Sequence, residues 1–132
     1  MSDAFQIAID FDGTIMEHTY PVVGNPVPGA IEAIRTFQDL GAECFLWTVR
    51  SGSELEEAVQ FCHRYGITFT GVNFNPTSQQ WVKTAQKIHA NVYIDDRAFG
   101  CPMAYDPFSK LHHVDWSVVT PKIVVMLREH GR

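Results

Sequence analysis

The sequence predicts an α/β fold, a single Rossmann-like domain in which a mainly parallel sheet lies between two layers of helices. The chain has 132 residues, 45% of them hydrophobic, which suits one domain over residues 1–132 with one sizeable core. Short apolar runs alternate with segments of helical periodicity, as in βαβ units. Several of the apolar runs end in aspartate or threonine, which is typical of strands that lead into a ligand site.

The first predicted unit is a strand, a long loop and a helix. Residues 5–10 (FQIAID) are an apolar run of strand length. Residues 28–40 have the helical spacing, with Pro28 near the start and Gly41 just beyond the end. The apolar positions of this helix fall on one face, namely Ile31, Ile34, Phe37 and Leu40.

The second unit follows directly. Residues 43–48 (ECFLWT) predict a strand, and residues 53–65 predict a helix. Ser53 is the expected N-cap, with Glu56 as its capping-box partner and Gly66 as the stop signal.

The second half of the chain has weaker signals. Residues 67–72 predict a short third strand, residues 78–89 a third helix, and residues 91–94 (NVYI) a fourth strand.

A last helix is expected to start near Thr120, with Pro121 at its first position. Three residues of this helix are expected to pack inward, namely Val124, Val125 and Leu127. Its apolar residues spread widely around the helix, so it could pack on its own sheet or in a homo-oligomer.

Composition excludes several classes of protein. The formal charge of −5 argues against a basic surface that would bind a nucleic-acid backbone by charge alone. No apolar run approaches the ~20 residues needed to cross a bilayer, so we expect no membrane partner. The three cysteines lack CxxC spacing, which argues against a disulfide framework and a zinc site. We therefore expect a cytoplasmic protein with free thiols.

Polar residues stand where the predicted strands end. Asp10 ends the first strand, Thr48 the second, and Asp95 and Asp96 follow the fourth. The carboxyl ends of parallel strands share one edge of the sheet, so these side chains should converge there. Clustered carboxylates repel each other unless a cation lies among them. Hard oxygen ligands without histidine or cysteine favour Mg²⁺.

Three segments resemble motifs of the haloacid dehalogenase-like (HAD) superfamily, over residues 5 to about 100. IDFDGTI resembles the first motif, LWTVR the second, and VYIDDRA the fourth. The resemblance implies a HAD-like fold and a Mg²⁺-dependent phosphohydrolase, a phosphomonoesterase that forms an aspartyl-phosphate. The gaps between motifs hold no cap domain, which indicates the small capless type with an open site.

The resemblance also implies roles for the first motif. Asp10 would be the nucleophile and a metal ligand. Asp12 would be the general acid and base, and its backbone carbonyl would also bind Mg²⁺. Gly13 would permit the sharp turn that presents both groups to the substrate.

The other two motifs would hold the phosphate and the metal. Thr48 and the backbone N–H groups of Val49 and Arg50 would bind the phosphoryl oxygens. Asp95 and Asp96 would ligate Mg²⁺ beside Asp10.

A lysine of a third motif is also expected, and two candidates remain. Lys87 lies eight residues before Asp95, a placement that resembles short members of the family. Lys83 would lie ~6 Å nearer the active edge if both were on one helix.

The substrate stays open. A phosphorylated small molecule, or a protruding phosphate on a larger one, would suit a capless site. His18, Tyr20 and Arg50 are candidate contacts at its rim. Arg50 and Arg97 could be solvated surface charges or could bind the substrate beyond the phosphate.

Other functions remain as alternatives. The chain could be a catalytically silent HAD-like binding module, or a phosphotransferase to an acceptor other than water. A receiver-type signalling domain also carries acidic residues at strand ends, but its phosphorylated aspartate is on the third strand rather than the first.

Overall fold

The computed structural model describes residues 3–77 and 85–131. A parallel sheet, three helices and one hairpin make up its regular structure in that part of the chain. In chain order the elements are β1 (Gln6–Ile9), α1 (Ala30–Asp39), β2 (Glu43–Leu46), α2 (Gly52–Arg64), β3 (Gly71–Val72), β4 (Val92–Ile94), β5 (Met103–Asp106), β6 (Leu111–Val114) and α3 (Trp116–Glu129).

The parallel sheet has the strand order β3-β2-β1-β4. Ile7 of β1 pairs with Cys44 of β2 on one side and with Val92 of β4 on the other. The chain therefore moves outward from β1 through β2 to β3 and then crosses to the opposite side for β4. In open α/β sheets such a reversal opens a crevice at the carboxyl ends of the strands on either side of it, here β1 and β4. The predicted α/β, Rossmann-like fold is confirmed.

The two faces of the sheet bury different sets of side chains, because side chains alternate along a strand. Ile7 and Ile9 belong to the main core, which also contains buried residues of α1, α2 and α3. Ala8 and Phe45 point to the other face and pack with Ile88 in a smaller cluster. The segment that follows residue 84 thus covers part of the second face.

Both of the first two helices begin at residues other than those predicted. Helix α1 starts at Ala30, after Gly29 as N-cap, so Pro28 lies outside it. Helix α2 starts at Gly52 and its N-cap is Ser51, not Ser53. Extended backbone angles are typical of a serine N-cap, and Ser51 has them, with φ −143° and ψ 169°. Ser53 already lies within the first helical turn.

The last helix starts earlier than predicted. Helix α3 begins at Trp116, and the Asp115 side chain caps it by accepting a hydrogen bond from the Ser117 N–H over 3.1 Å. Pro121 therefore lies inside the helix rather than at its start. The buried face contains Leu127 as expected, whereas Val125 is 53% exposed. The other buried positions of this helix are Trp116, Val119 and Ile123.

The region between β3 and α3 also differs from expectation. The predicted third strand is reduced to Gly71–Val72. Residues 78–84 of the predicted third helix lie outside the described residues, and residues 85–89 are not helical. The antiparallel hairpin β5–β6 was not predicted. No helix in the described ranges is long and apolar enough to cross a membrane.

Candidate active site

Three carboxylates meet at the carboxyl ends of two neighbouring strands, β1 and β4. Asp10 follows β1, whereas Asp95 and Asp96 follow β4, its direct neighbour in the sheet. Each residue offers a carboxylate oxygen, and these oxygens lie within 4.8 Å of one another. The structure thus brings together the three aspartates that the strand ends predicted.

A cavity of about 450 Å³ opens over these carboxylates. Its floor and walls combine acidic, aromatic and cationic groups. Val49 stands at its edge with 95% of its surface exposed. The lining residues are Asp10, Asp12, His18, Tyr20, Val49, Asp95, Asp96 and Arg97. The rim candidates His18 and Tyr20 therefore do line the cavity.

Two carboxyl groups of this cluster, those of Asp10 and Asp96, have a raised pKa. The pKa of Asp10 is raised from 3.8 to about 8. The main cause is burial, and the second is the negative charge of Asp95. Burial also raises the pKa of Asp96. A divalent cation between these oxygens would remove the repulsion and restore ionised carboxylates. The donor set is made of hard oxygen ligands, which fits Mg²⁺.

The Thr14 hydroxyl forms hydrogen bonds with both Asp10 and Asp96. Its hydroxyl donates to Asp10 Oδ2 over 3.1 Å and accepts from the Asp96 backbone N–H, also over 3.1 Å. Its carbonyl oxygen accepts a hydrogen bond from the indole of Trp116 over 2.8 Å. We did not predict a role for Thr14, although its position directly after the Asp-x-Asp-Gly turn was the available signal.

Gly13 has a structural reason to be glycine. Its φ of +78° lies in the left-handed region, and a Cβ at this position would collide with the Asp96 carboxylate. Its carbonyl accepts from the Val114 N–H over 2.9 Å, at the end of the hairpin. The sharp turn expected at Gly13 is present. Gly13 is not among the residues that line the cavity.

Asp12 is paired with Arg50. Arg50 Nε donates to Asp12 Oδ2 over 2.9 Å, and Arg50 Nη2 donates to Oδ1 over 2.8 Å. Arg50 is 1% exposed, and the hydrogen bond with Asp12 raises its pKa. The interpretation of Arg50 as a solvated surface charge is therefore wrong. The guanidinium lies behind the cavity wall rather than in it.

Thr48 is held by two neighbours. Its hydroxyl oxygen accepts from the Arg50 backbone N–H over 3.1 Å, and its own N–H donates to Asn73 Oδ1 over 2.8 Å. Asn73 has φ 54°, a conformation that asparagine tolerates better than most residues. We did not predict Asn73, whose only sequence signal is an asparagine directly after a predicted strand.

The remaining cations differ in position. The Arg97 side chain is 80% exposed, lines the cavity, and has Nε 3.9 Å from Asp96 Oδ2. The Lys87 ammonium lies 4.8 Å from the centre of the Tyr93 ring, and Lys87 is not among the residues that line the cavity. Lys83 lies outside the described residues.

Comparison with known proteins gives one informative result. No protein-family model matches the sequence, and no curated protein is significantly similar to it. The solved structure of a conserved protein from Bacteroides thetaiotaomicron is 32% identical, with a TM-score of 0.77. The alignment covers 93% of this chain and 92% of that one. The chain therefore belongs to the same family as this conserved Bacteroides thetaiotaomicron protein.

Proposed function

We propose that the protein is a Mg²⁺-dependent phosphohydrolase of the capless HAD type, a phosphomonoesterase that acts through an aspartyl-phosphate on Asp10. One observation carries the proposal. Asp10, Asp95 and Asp96 offer oxygens within 4.8 Å of one another at the point where the strand order reverses. Asp12 lies two residues after Asp10 and lines the same cavity.

The acidic cluster fits a magnesium ion. Asp10, Asp95 and Asp96 would hold it, and the backbone carbonyl of Asp12 is a further ligand by resemblance. The raised pKa of Asp10 supports this assignment. Asp10 is partly buried beside the negative charge of Asp95, and a bound cation would stabilise its ionised carboxylate there. When bound, Mg²⁺ would screen the nucleophile from the anionic substrate and polarise a phosphoryl oxygen.

In the first half-reaction Asp10 attacks phosphorus in line with the leaving oxygen. The new bond joins an Asp10 carboxylate oxygen to phosphorus, the bond to the leaving oxygen breaks, and Asp12 protonates that oxygen. Thr14 fixes the Asp10 carboxylate through its 3.1 Å hydrogen bond to Oδ2.

In the second half-reaction Asp12 takes a proton from water. The water oxygen attacks phosphorus, the aspartyl-phosphate bond breaks, and inorganic phosphate leaves. Asp12 thereby regains the proton that it needs for the next turnover.

The phosphoryl oxygens would be bound at the start of α2. The Thr48 hydroxyl and the Val49 N–H are the proposed donors, because the Arg50 N–H already donates to Thr48 Oγ1 over 3.1 Å. The positive charge near the phosphate would come from Lys83 or Lys87. Lys87 would have to leave the Tyr93 ring to serve it.

An open cavity suits a phosphate that protrudes from its carrier. Arg97, His18 and Tyr20 line the cavity and would contact the carrier beyond the phosphate. Cys44, Cys62 and Cys101 are free thiols, which supports a reducing, cytoplasmic location.

The direct test is release of phosphate from p-nitrophenyl phosphate with Mg²⁺ and with EDTA. We expect Mg²⁺-dependent turnover that Asp10→Asn abolishes. Asp39→Asn is the matched control, because Asp39 is an exposed carboxylate at the end of α1. Absence of turnover with a broad panel of phosphoesters would instead favour a binding module. A phosphorylated alcohol formed in place of free phosphate would indicate a phosphotransferase.

A further inference from the structure

The Arg50 guanidinium joins two parts of the loop between β1 and α1 to the first turn of α2. It donates to both oxygens of Asp12, in the loop after β1. Its Nη1 donates to the Pro21 carbonyl, in the loop before α1, and to the Glu54 carbonyl, in the first turn of α2, each over 3.2 Å. These contacts use hydrogen bonds in the plane of the guanidinium, so its orientation is fixed in that plane.

Two aromatic rings also pack against the guanidinium. Its central carbon lies 5.0 Å from the Phe11 ring centre and 5.1 Å from the Tyr20 ring centre. Both distances are within the range of cation–π contact. Phe11 is fully buried, whereas Tyr20 is 52% exposed and lines the cavity. Tyr20 therefore touches both Arg50 and the space where the substrate would bind.

This arrangement determines where the Asp12 carboxylate points. Both of its oxygens accept from Arg50, so the carboxylate can rotate only if it gives up one of two charge-assisted hydrogen bonds. A general acid must lie within hydrogen-bond distance of the leaving oxygen, and small displacements are costly to the rate. The side chain that holds Asp12 would thus affect proton transfer without touching the substrate.

We propose that Arg50 is a positioning residue for Asp12, and that the Tyr20 ring keeps Arg50 in place. This inference rests on the proposed phosphohydrolase function and adds two residues to it. Arg50 does not bind the phosphate in this arrangement, because its guanidinium is buried and directed at Asp12.

The test compares two substrates that differ mainly in the leaving group. p-Nitrophenolate leaves without much help from an acid, whereas the phenolate of phenyl phosphate depends more on protonation. In Arg50→Lys the bidentate geometry is lost while the charge stays. We expect kcat/KM, which reports the steps up to the departure of the leaving group, to fall by roughly 10- to 100-fold on phenyl phosphate and by only about 3-fold on p-nitrophenyl phosphate.

The double variant with Asp12→Asn provides the second readout. If Arg50 acts through Asp12, Arg50→Lys should cause no further loss of kcat in the Asp12→Asn background. Equal losses of kcat/KM on both substrates, or a full additional loss of kcat in the double variant, would overturn the inference. A wild-type protein without Mg²⁺-dependent turnover would overturn the proposed function together with this inference.

If Arg50→Lys does not fold, variants of Tyr20 give an independent test, because they leave the buried ion pair of Arg50 and Asp12 intact. Tyr20→Leu removes the exposed ring from the guanidinium, so we expect the same selective loss on phenyl phosphate. Tyr20→Phe keeps the ring and should recover most of the kcat/KM on phenyl phosphate. Failure of Tyr20→Phe to recover more than Tyr20→Leu would contradict the role assigned to the ring.

Discussion

The indole N–H of Trp116 donates to the carbonyl oxygen of Thr14 over 2.8 Å, across 102 positions of sequence. This hydrogen bond joins the start of the last helix to the loop that carries Asp10 and Asp12. Both residues are buried, so neither group could exchange its partner for water. The last helix therefore supports the loop of the candidate active site directly.

Trp116→Phe should destabilise the protein by about 1–3 kcal/mol, because it leaves the buried Thr14 carbonyl without its donor. Urea unfolding would measure this change. Val125→Ala, at an exposed position of the same helix, should change the free energy of unfolding by less than about 0.5 kcal/mol. An equal effect of both variants would contradict the importance of the hydrogen bond.

Magnesium should stabilise the protein more strongly as the pH rises. The pKa of Asp10 in the metal-free fold is about 8, above its ordinary value of 3.8. A raised pKa means that the fold favours the protonated carboxyl, so this stabilisation is present below about pH 4 and is lost as the pH rises through about 8. Bound Mg²⁺ reverses the preference by favouring the ionised form.

Thermal melting between pH 5 and 9, with EDTA and with Mg²⁺, would measure this effect. The difference in Tm between the two conditions should grow with pH and should be much smaller in Asp10→Asn. A Mg²⁺ effect of the same size at pH 5 and pH 9 would argue against Asp10 as a ligand.

Gly13→Ala should weaken Mg²⁺ binding as well as the fold. The added Cβ would meet the Asp96 carboxylate, and the positive φ costs of order 1–3 kcal/mol for a residue other than glycine. Gly41→Ala is a matched control, because Gly41 also has a positive φ but has no atom within 4 Å of the added Cβ. Calorimetric titration should show weaker Mg²⁺ binding only for Gly13→Ala. Equal affinity in both variants would contradict the contact with Asp96.

Asn73 should affect phosphate binding through Thr48. Asn73→Ala removes the acceptor of the Thr48 N–H and should destabilise the fold by about 1–2 kcal/mol and raise KM. Asn73→Gly also removes the acceptor but tolerates the φ of 54° without strain. If both variants raise KM equally, the lost hydrogen bond to Thr48 is the cause. If Asn73→Gly has the wild-type KM, the cause is backbone strain at the positive φ of residue 73.

The three thiols should differ in reactivity. Burial raises the pKa of Cys44 and of Cys62 to about 12, so their thiolates are scarce at neutral pH. Cys101 is only partly buried. Ellman's reagent should therefore label one thiol in the folded protein, and Cys101→Ser should remove that fast phase. Rapid labelling of all three thiols at pH 7 would contradict the packing described for β2 and α2.

The amino-acid sequence alone predicted the parallel α/β fold and the convergence of Asp10 with Asp95 and Asp96. Both follow from local patterns, because a short stretch of sequence is enough to predict a strand and the position of its end. The rule that parallel strands share a carboxyl edge then brings distant residues together. Local signals misplaced the start of α2, where Ser53 was the expected N-cap and the structure has Ser51.

Long-range packing determines which polar residues surround the aspartates. The partners of Asp12, Thr14 and Thr48 are Arg50, Trp116 and Asn73, and each pair joins segments that are remote in sequence. An arginine after a strand has the same local pattern whether it is solvated or buried against a carboxylate. Its role depends on which side chains the fold packs around it, and that depends on long-range packing rather than on neighbouring residues.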